Sequence, residues 1–218
     1  MRLKRWNIGI NKDKRLLNFR TIQRDIAEKI SLEDKFKKIR KVVGFDLAFS
    51  KDNVICAAIV VDYKSLKVLE KRYVICKETI GYIPTFLTFR EGPPILEVYK
   101  RLENKPDILL FDGNGILHPL RVGIASHIGV VLKKPSIGVA KSLLCGELKG
   151  DYIYMDNEKV GYRLKNKRFK PIYISPGHRI SLESSVRIAR KLIRNHRLPE
   201  PLILAHRYAN ETKNRCDG

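Results

Sequence analysis

The spacing of apolar positions changes repeatedly along this chain, and each change marks an element. From about Asn11 to Lys41, Leu16, Leu17, Ile22, Ile26 and Ile30 recur at helical intervals among charges, which predicts an amphipathic basic helix. Ser31-Leu32-Glu33-Asp34 joins a capping residue to an acidic turn, so a second short helix is predicted to begin there. Three strand-like runs follow, Lys41 to Phe49, Val54 to Tyr63 and Val68 to Cys76, and their short connections predict an antiparallel meander. From Pro93 the period turns helical through Leu96, Val98, Tyr99 and Leu102, and Pro106 closes the helix before the apolar run Ile108 to Phe111. That run is expected to lie parallel to the first strand, because a crossover helix separates them.

Beyond it the pattern predicts a helix near Val122 to Val131, a strand at Ser136 to Ala140 and short strands within Tyr152 to Leu164 and Ile172 to Ser175. A helix from Ser181 to Arg194 and a frayed tail after Arg207 complete the reading. A meander followed by crossovers gives an α/β mixed sheet flanked by helices. The division expected is a basic helical segment over residues 1–40 packed on the core, a catalytic domain over 41–207 and a frayed tail over 208–218.

Charge then narrows the class. The 218 residues hold 44 Lys and Arg against 23 Asp and Glu, a formal charge of +21 that attracts polyanions, nucleic acid foremost. The charge is spread along the chain rather than gathered beside an apolar anchor, and there is no run of about 18 apolar residues, so a membrane partner is not expected. The opening residues Met1 to Trp6 lack the apolar stretch of a secretory signal, which points to the cytoplasm. The 4 cysteines stand singly and read as reduced thiols, and the single glutamine, Gln23, is compatible with a heat-adapted protein.

The candidate chemistry lies at strand ends. Asp46 sits inside the apolar run Val42 to Phe49, where a bare carboxylate needs a partner. Asp112 ends the other central strand, at the edge where α/β sheets gather ligands. Either alone reads as a turn cap or an arginine partner; together, in a cationic chain, they read as ligands for hard divalent cations such as Mg²⁺. Glu91, in Phe89-Arg90-Glu91-Gly92-Pro93-Pro94, is a third carboxylate just ahead of the crossover helix, where it equally suits a helix N-terminus. Gly113 and Gly115 permit tight backbone near a phosphate, His118 reads equally as a water-orienting or a turn-packing residue, and Lys141 suits charge developing at phosphorus or an ion pair.

These residues fall in motifs that together resemble the endonuclease V family. The motifs are Gly44 to Phe49, Tyr82-Ile83-Pro84, Phe89 to Pro93, Asp112 to Gly115 with His118-Pro119, Gly123 to His127 and Gly138 to Ser142, with a weaker echo at Leu204-Ala205-His206. The resemblance implies a ribonuclease-H-like fold, metal-binding acids at Asp46, Glu91 and Asp112, and Lys141 and His118 near the scissile phosphate. It also implies an active-site role for His206 and a strand-parting wedge of Tyr82, Ile83 and Pro84. The chain departs from the family's wedge at Gly81, where proline is usual, and at Thr85, where glycine is usual.

The activity implied is Mg²⁺-dependent nicking, with Mn²⁺ as a substitute, at the second phosphodiester 3′ to an inosine in DNA or RNA. The products would be 3′-hydroxyl and 5′-phosphate ends, and a monomer suffices. Asp46 would bridge two ions, with Asp112 and Glu91 completing separate sites. Candidate nucleic-acid contacts are Tyr82, Ile83, Pro84, Gly113, Gly115 and Gly138, with backbone amides of Gly113 to Ile116 and of Ser136 to Gly138 lining a base pocket. The competing readings are an RNA-strand nuclease or junction resolvase of the same fold without inosine specificity, and a nucleic-acid-binding protein without catalysis.

Overall fold

A computed structural model of the chain describes residues 14–51, 53–77, 81 and 83–217. Helix α1 (Lys14–Ala27) precedes the meander β1 (Lys41–Phe49), β2 (Asn53–Asp62) and β3 (Val68–Lys77), paired antiparallel with Asp46 opposite Ala57. Helix α2 (Leu87–Lys100) crosses to β4 (Ile108–Asp112), which runs parallel to β1 with Phe45 beside Phe111. Helix α3 (Ile124–Leu132) then leads to β5 (Ser136–Ala140), parallel to β4. The chain continues through β6 (Glu147–Lys149), β7 (Tyr152–Met155), β8 (Glu158–Leu164) and β9 (Ile172–His178), the last antiparallel to β5, and ends in α4 (Leu182–Leu192) and α5 (Glu200–Asp217). The strands join in one mixed sheet ordered β3-β2-β1-β4-β5-β9-β8-β7-β6.

Period-two alternation divides the core into two layers. Val42, Ile108, Leu110, Ile137 and Val139 pack against Ile188 and Leu192 of α4 and Leu202 and Ala205 of α5. Their neighbours Val43, Phe45, Leu109 and Phe111 face the opposite way, against Ile95 and Val98 of α2 and Ile124 and Ile128 of α3. Strand β2, covered on both faces, is buried from Val54 to Val61. Among the described residues no helix is long and apolar enough to cross a membrane.

Three expectations are corrected. The segment Ser31 to Asp34 forms no helix; its polar groups serve another one, because the Asp34 carboxylate accepts from the Ser181 amide at 2.8 Å and from the Ser184 hydroxyl at 2.6 Å, fixing the start of α4. The crossover helix starts at Leu87 instead of Pro93, so Glu91 lies inside α2. Aromatic packing accounts for the early start, since Phe89 stacks on Phe19 of α1 at 3.9 Å and Phe86 is buried beside them. The tail does not fray: α5 continues to Asp217 with Leu202, Ala205, Ala209 and Thr212 buried at helical spacing along one side. Small and polar residues supply the end of that stripe, so hydrophobicity alone does not reveal it.

Candidate active site

Asp46 and Asp112 lie one position beyond the Phe45 and Phe111 pair, at the carboxyl end of the two parallel strands. Burial first, and then the negative charge of Asp112, push the Asp46 carboxyl above its usual range, opposed by its hydrogen bond with His206. His206 Nδ1 donates to Asp46 Oδ2 at 2.8 Å from α5. That helix comes so close because Gly44, two residues before Asp46, has no side chain: a Cβ there would strike the backbone of Pro201 and Leu202.

Glu91 reaches the same charges from the opposite face of the sheet. Its burial, then the repulsion of Asp46, raise its pKa to about 8, with Asp112 adding further repulsion and Arg90 opposing. The Arg90 guanidinium stacks over the Phe49 ring at 3.7 Å, holding a cation beside the acids. Lys141, just past β5, donates from Nζ to Asp112 Oδ2 at 2.5 Å while half exposed. Arg197 supports it from below, its guanidinium donating to the carbonyls of Lys141, Lys170 and Pro171.

This set of donors fits a hard divalent cation. Among the described residues no three His, Cys, Asp or Glu side chains close into a ready-made cage. Mg²⁺ needs no such cage, being held by one or two carboxylates and keeping several waters. Burial first, and then the neighbouring carboxylates, push Asp46 and Glu91 upward, and a cation at this edge would offset both effects.

His118 stands apart from the acids. It is 3% exposed, its Nδ1 accepts from the Leu120 amide at 3.2 Å, and its Nε2 lies 3.1 Å from the Thr85 carbonyl, to which it donates. Burial lowers its pKa to about 4. The ring is therefore neutral near pH 7 and committed to backbone on both sides. Thr85 itself is held at φ 69°, the left-handed region in which the family's usual glycine is unstrained. Its carbonyl also accepts from Gln23 Nε2 of α1 at 2.8 Å.

A cavity of about 200 Å³ opens between this turn and the loop after Asp112, lined among others by Thr85, Leu87, Gly113, Asn114, His118 and Ser142. Asn114 brings a buried side-chain oxygen with no hydrogen-bond partner among the described residues. The amides expected to line such a pocket are largely spent: Gly113 donates to the Val139 carbonyl, Ile116 to the Pro176 carbonyl and Gly115 to Ser175 Oγ. Gly115 and Gly138 are packing positions, where any Cβ would collide with the Pro176 carbonyl or the backbone of residues 113–115. Ile83 is half-buried and Pro84 exposed on the turn leading into α2, Gly81 has open space around it, and Tyr82 lies outside the described residues.

The structure thus gathers Asp46, Glu91, Asp112, Lys141 and His206, and sets His118 and Gly113 at the neighbouring cavity. Sequence reading missed Gln23, Asn114, Ser175 and Arg197 as supports. Gln23 left a trace there as the chain's single glutamine in a basic helix, and Asn114 as a member of the Asp112 to Gly115 motif.

Comparison with known proteins agrees with this arrangement. The family model for endonuclease V matches residues 24–207. Endonuclease V of Dictyoglomus thermophilum is 46% identical over 202 residues, covering 88% of this chain and 89% of its own. The crystal structure of endonuclease V from Bacillus subtilis superimposes with a TM-score of 0.86 at 33% identity, covering 94% of this chain and 95% of that one. Ciona intestinalis endonuclease V, solved with a 24mer DNA containing an inosine followed by a ribo-adenosine, gives a TM-score of 0.85 at 27% identity over 94% of this chain and 100% of that one. The expected ribonuclease-H-like fold is present, and the chain belongs to the endonuclease V family of phosphodiester-cleaving nucleases.

Proposed function

We propose that this nuclease recognises inosine, the deaminated form of adenosine, in DNA and hydrolyses the second phosphodiester on its 3′ side, leaving 3′-hydroxyl and 5′-phosphate ends. The carrying observation is adjacency. The acids on β1 and β4 and the cavity beside Asn114 share one short loop, because Asp112, at the end of β4, belongs to the first and Gly113 and Asn114 to the second. A base seated in the cavity and a phosphate at the acids would then belong to nearby positions of one strand. The inosine-containing DNA in the Ciona protein supports the choice of base.

Asp46, Asp112 and Glu91 would hold Mg²⁺, or Mn²⁺ in its place. Such a cation polarises the phosphate and lowers the pKa of bound water. His206 keeps the Asp46 carboxylate oriented, and Lys141 sets an ammonium against charge developing at phosphorus. Gln23 and His118 fix the cavity wall through the Thr85 carbonyl. Ile83 and Pro84, with Tyr82 before them, fill the gap that the extruded base leaves. Hypoxanthine lacks the exocyclic amine of guanine, so a cavity whose lining includes the unpartnered Asn114 oxygen among apolar and hydroxyl side chains would admit it and leave the added amine crowded or poorly paired. One chain supplies every group invoked, so a cytoplasmic monomer suffices.

The test uses end-labelled duplexes carrying inosine or guanine at one position, as DNA and as RNA, across roughly 50–200 mM salt, the range over which nonspecific binding weakens. Nicking of inosine DNA should exceed that of guanine DNA, with the preference sharpening as salt rises, and Asp46→Ala or Asp112→Ala should abolish it. Equal cutting of both bases at every salt concentration would leave a general nuclease, and stronger cutting of the RNA would make it an endoribonuclease.

A further inference from the structure

At the amino ends of the parallel strands, opposite the acids, lies a hollow of about 460 Å³ lined by Lys35, Lys37, Lys38, Arg40, Lys133, Lys134 and Arg179, with Asp107 its one acidic residue. Three segments distant in sequence bring these cations together, so the hollow is a product of the fold and not of one basic run. Asp107 is already engaged, its Oδ2 accepting from the amides of Arg40 at 2.7 Å and Lys41 at 3.0 Å. Lys35 pairs with Glu33 outside the hollow. Among the described residues Lys37, Lys38, Arg40, Lys133, Lys134 and Arg179 form no ion pair.

The rim is rigid. Arg179 (φ 53°) donates its amide to the Ser31 carbonyl at 2.6 Å, accepts from the Lys35 amide at 3.1 Å and donates from its guanidinium to the Lys133 carbonyl at 2.9 Å. Lys133 also lies in left-handed backbone, at φ 53°, where α3 ends. Such backbone is disfavoured for residues with a side chain, and here it is held by contacts that fix where the cations stand.

We infer that this hollow is a second nucleic-acid site, which grips the phosphates of a duplex other than the one at the acids. The chain is a nuclease, so its partners are phosphate backbones, and cations with no carboxylate partner are what counterion release exploits. The two sites face opposite ways along the same strands. Asp112 lies five positions beyond Asp107 on the path through β4, roughly 17 Å at about 3.3 Å per residue. The sites open at opposite ends of the parallel strands, and DNA with a persistence length of about 150 bp does not fold back from one to the other within a short fragment. The enzyme would therefore bridge two duplex segments. This inference rests on the family's nuclease activity and is independent of the inosine reading.

The experiment immobilises an undamaged 30-bp duplex, adds the full chain in EDTA and measures capture of a second, labelled 30-bp duplex from solution. The wild type should capture it. The exposed pair Lys37→Glu and Lys38→Glu should lower capture at least tenfold and reduce the salt slope of capture, by about one for each phosphate-contacting lysine lost. Its nicking of a short substrate duplex should stay within twofold. A control of equal charge change, Lys149→Glu with Lys159→Glu on the β6 to β8 edge, should capture as the wild type does, and Lys134→Gln should fall between. Unchanged capture in the Lys37 and Lys38 variant, or equal loss in the control, overturns the inference. So does capture of phosphatidylserine vesicles, but not duplex, that the same variant loses.

Discussion

Gln23 Nε2 donates to the carbonyl of Thr85 at 2.8 Å, tying α1 to the turn that enters α2 across 62 residues of sequence. Gln23 is buried and Thr85 stands at φ 69°, so a helix outside the sheet stabilises a strained turn beside the candidate base cavity. Gln23→Ala should lower stability by about 1–3 kcal/mol, the usual loss for a buried polar partner, and weaken binding of an inosine duplex more than it slows cleavage of bound substrate. Thr85→Gly should be neutral or stabilising by up to about 1 kcal/mol, since glycine relieves the left-handed strain while loosening the unfolded chain. Denaturant titration of both variants decides; a marked loss on Thr85→Gly would mean that the threonine is favoured there for another reason.

His206 is hydrogen-bonded to Asp46, and under the proposed function it acts on the reaction through that carboxylate. His206→Ala should cost roughly 10–100-fold in activity, the usual range when a partner of a metal ligand is removed. It should raise the Mg²⁺ concentration needed for half-maximal rate without changing affinity for duplex. His206 is 60% exposed, so the melting temperature should hold. His206→Asn, whose amide can still donate, should recover part of the loss. An unaltered Mg²⁺ requirement in His206→Ala would disconnect it from the metal.

Glu91 links stability to pH. Its carboxyl is raised from 4.5 to about 8 in the fold, so the folded chain retains a proton that the unfolded chain has already released. In EDTA that contribution is full below about pH 4.5 and is lost as pH rises to about 8, so stability should fall through this window. Asp46, also shifted upward by its burial, adds a contribution of the same sign. Thermal melts from pH 4 to 9 should show the decline, Glu91→Gln should flatten it, and Mg²⁺ binding near pH 7 should expel about one proton per chain. A decline that persists in Glu91→Gln would place its source elsewhere.

Asn114 should govern base choice. Asn114→Leu removes the unpartnered amide oxygen beside the cavity, and the inosine-to-guanine cleavage ratio should drop roughly tenfold or more, the equivalent of one buried hydrogen bond. Single-turnover rates on matched duplexes measure it. A ratio equal to the wild type's would move discrimination to the cavity's shape.

The central sheet was readable because its residues obey local rules. Strands β1, β2, β4 and β5 announce themselves as apolar runs, and two carboxylates set in such runs are conspicuous. What escaped reading depends on distant partners. Asp34 looks like the start of its own helix but caps α4, 147 residues away. Thr212 looks like part of a polar tail but is buried on α5. His118 carries a ring that sequence ties equally to water or to packing, and only the positions of Thr85 and Leu120 show both its nitrogens engaged. The basic hollow is assembled from segments that show no common pattern.

The hydrogen bond between Asp46 and His206 spans 160 residues, and synthesis at about 5–20 residues per second takes roughly 8–30 s to cross that interval. Throughout it, a growing chain on the ribosome has Asp46 but neither the donor that orients it nor the α5 backbone that covers Gly44. The Asp46 carboxylate thus gains its orienting partner, and Gly44 its cover, only after α5 has been made and has docked, so this corner of the site is completed late in the order of synthesis.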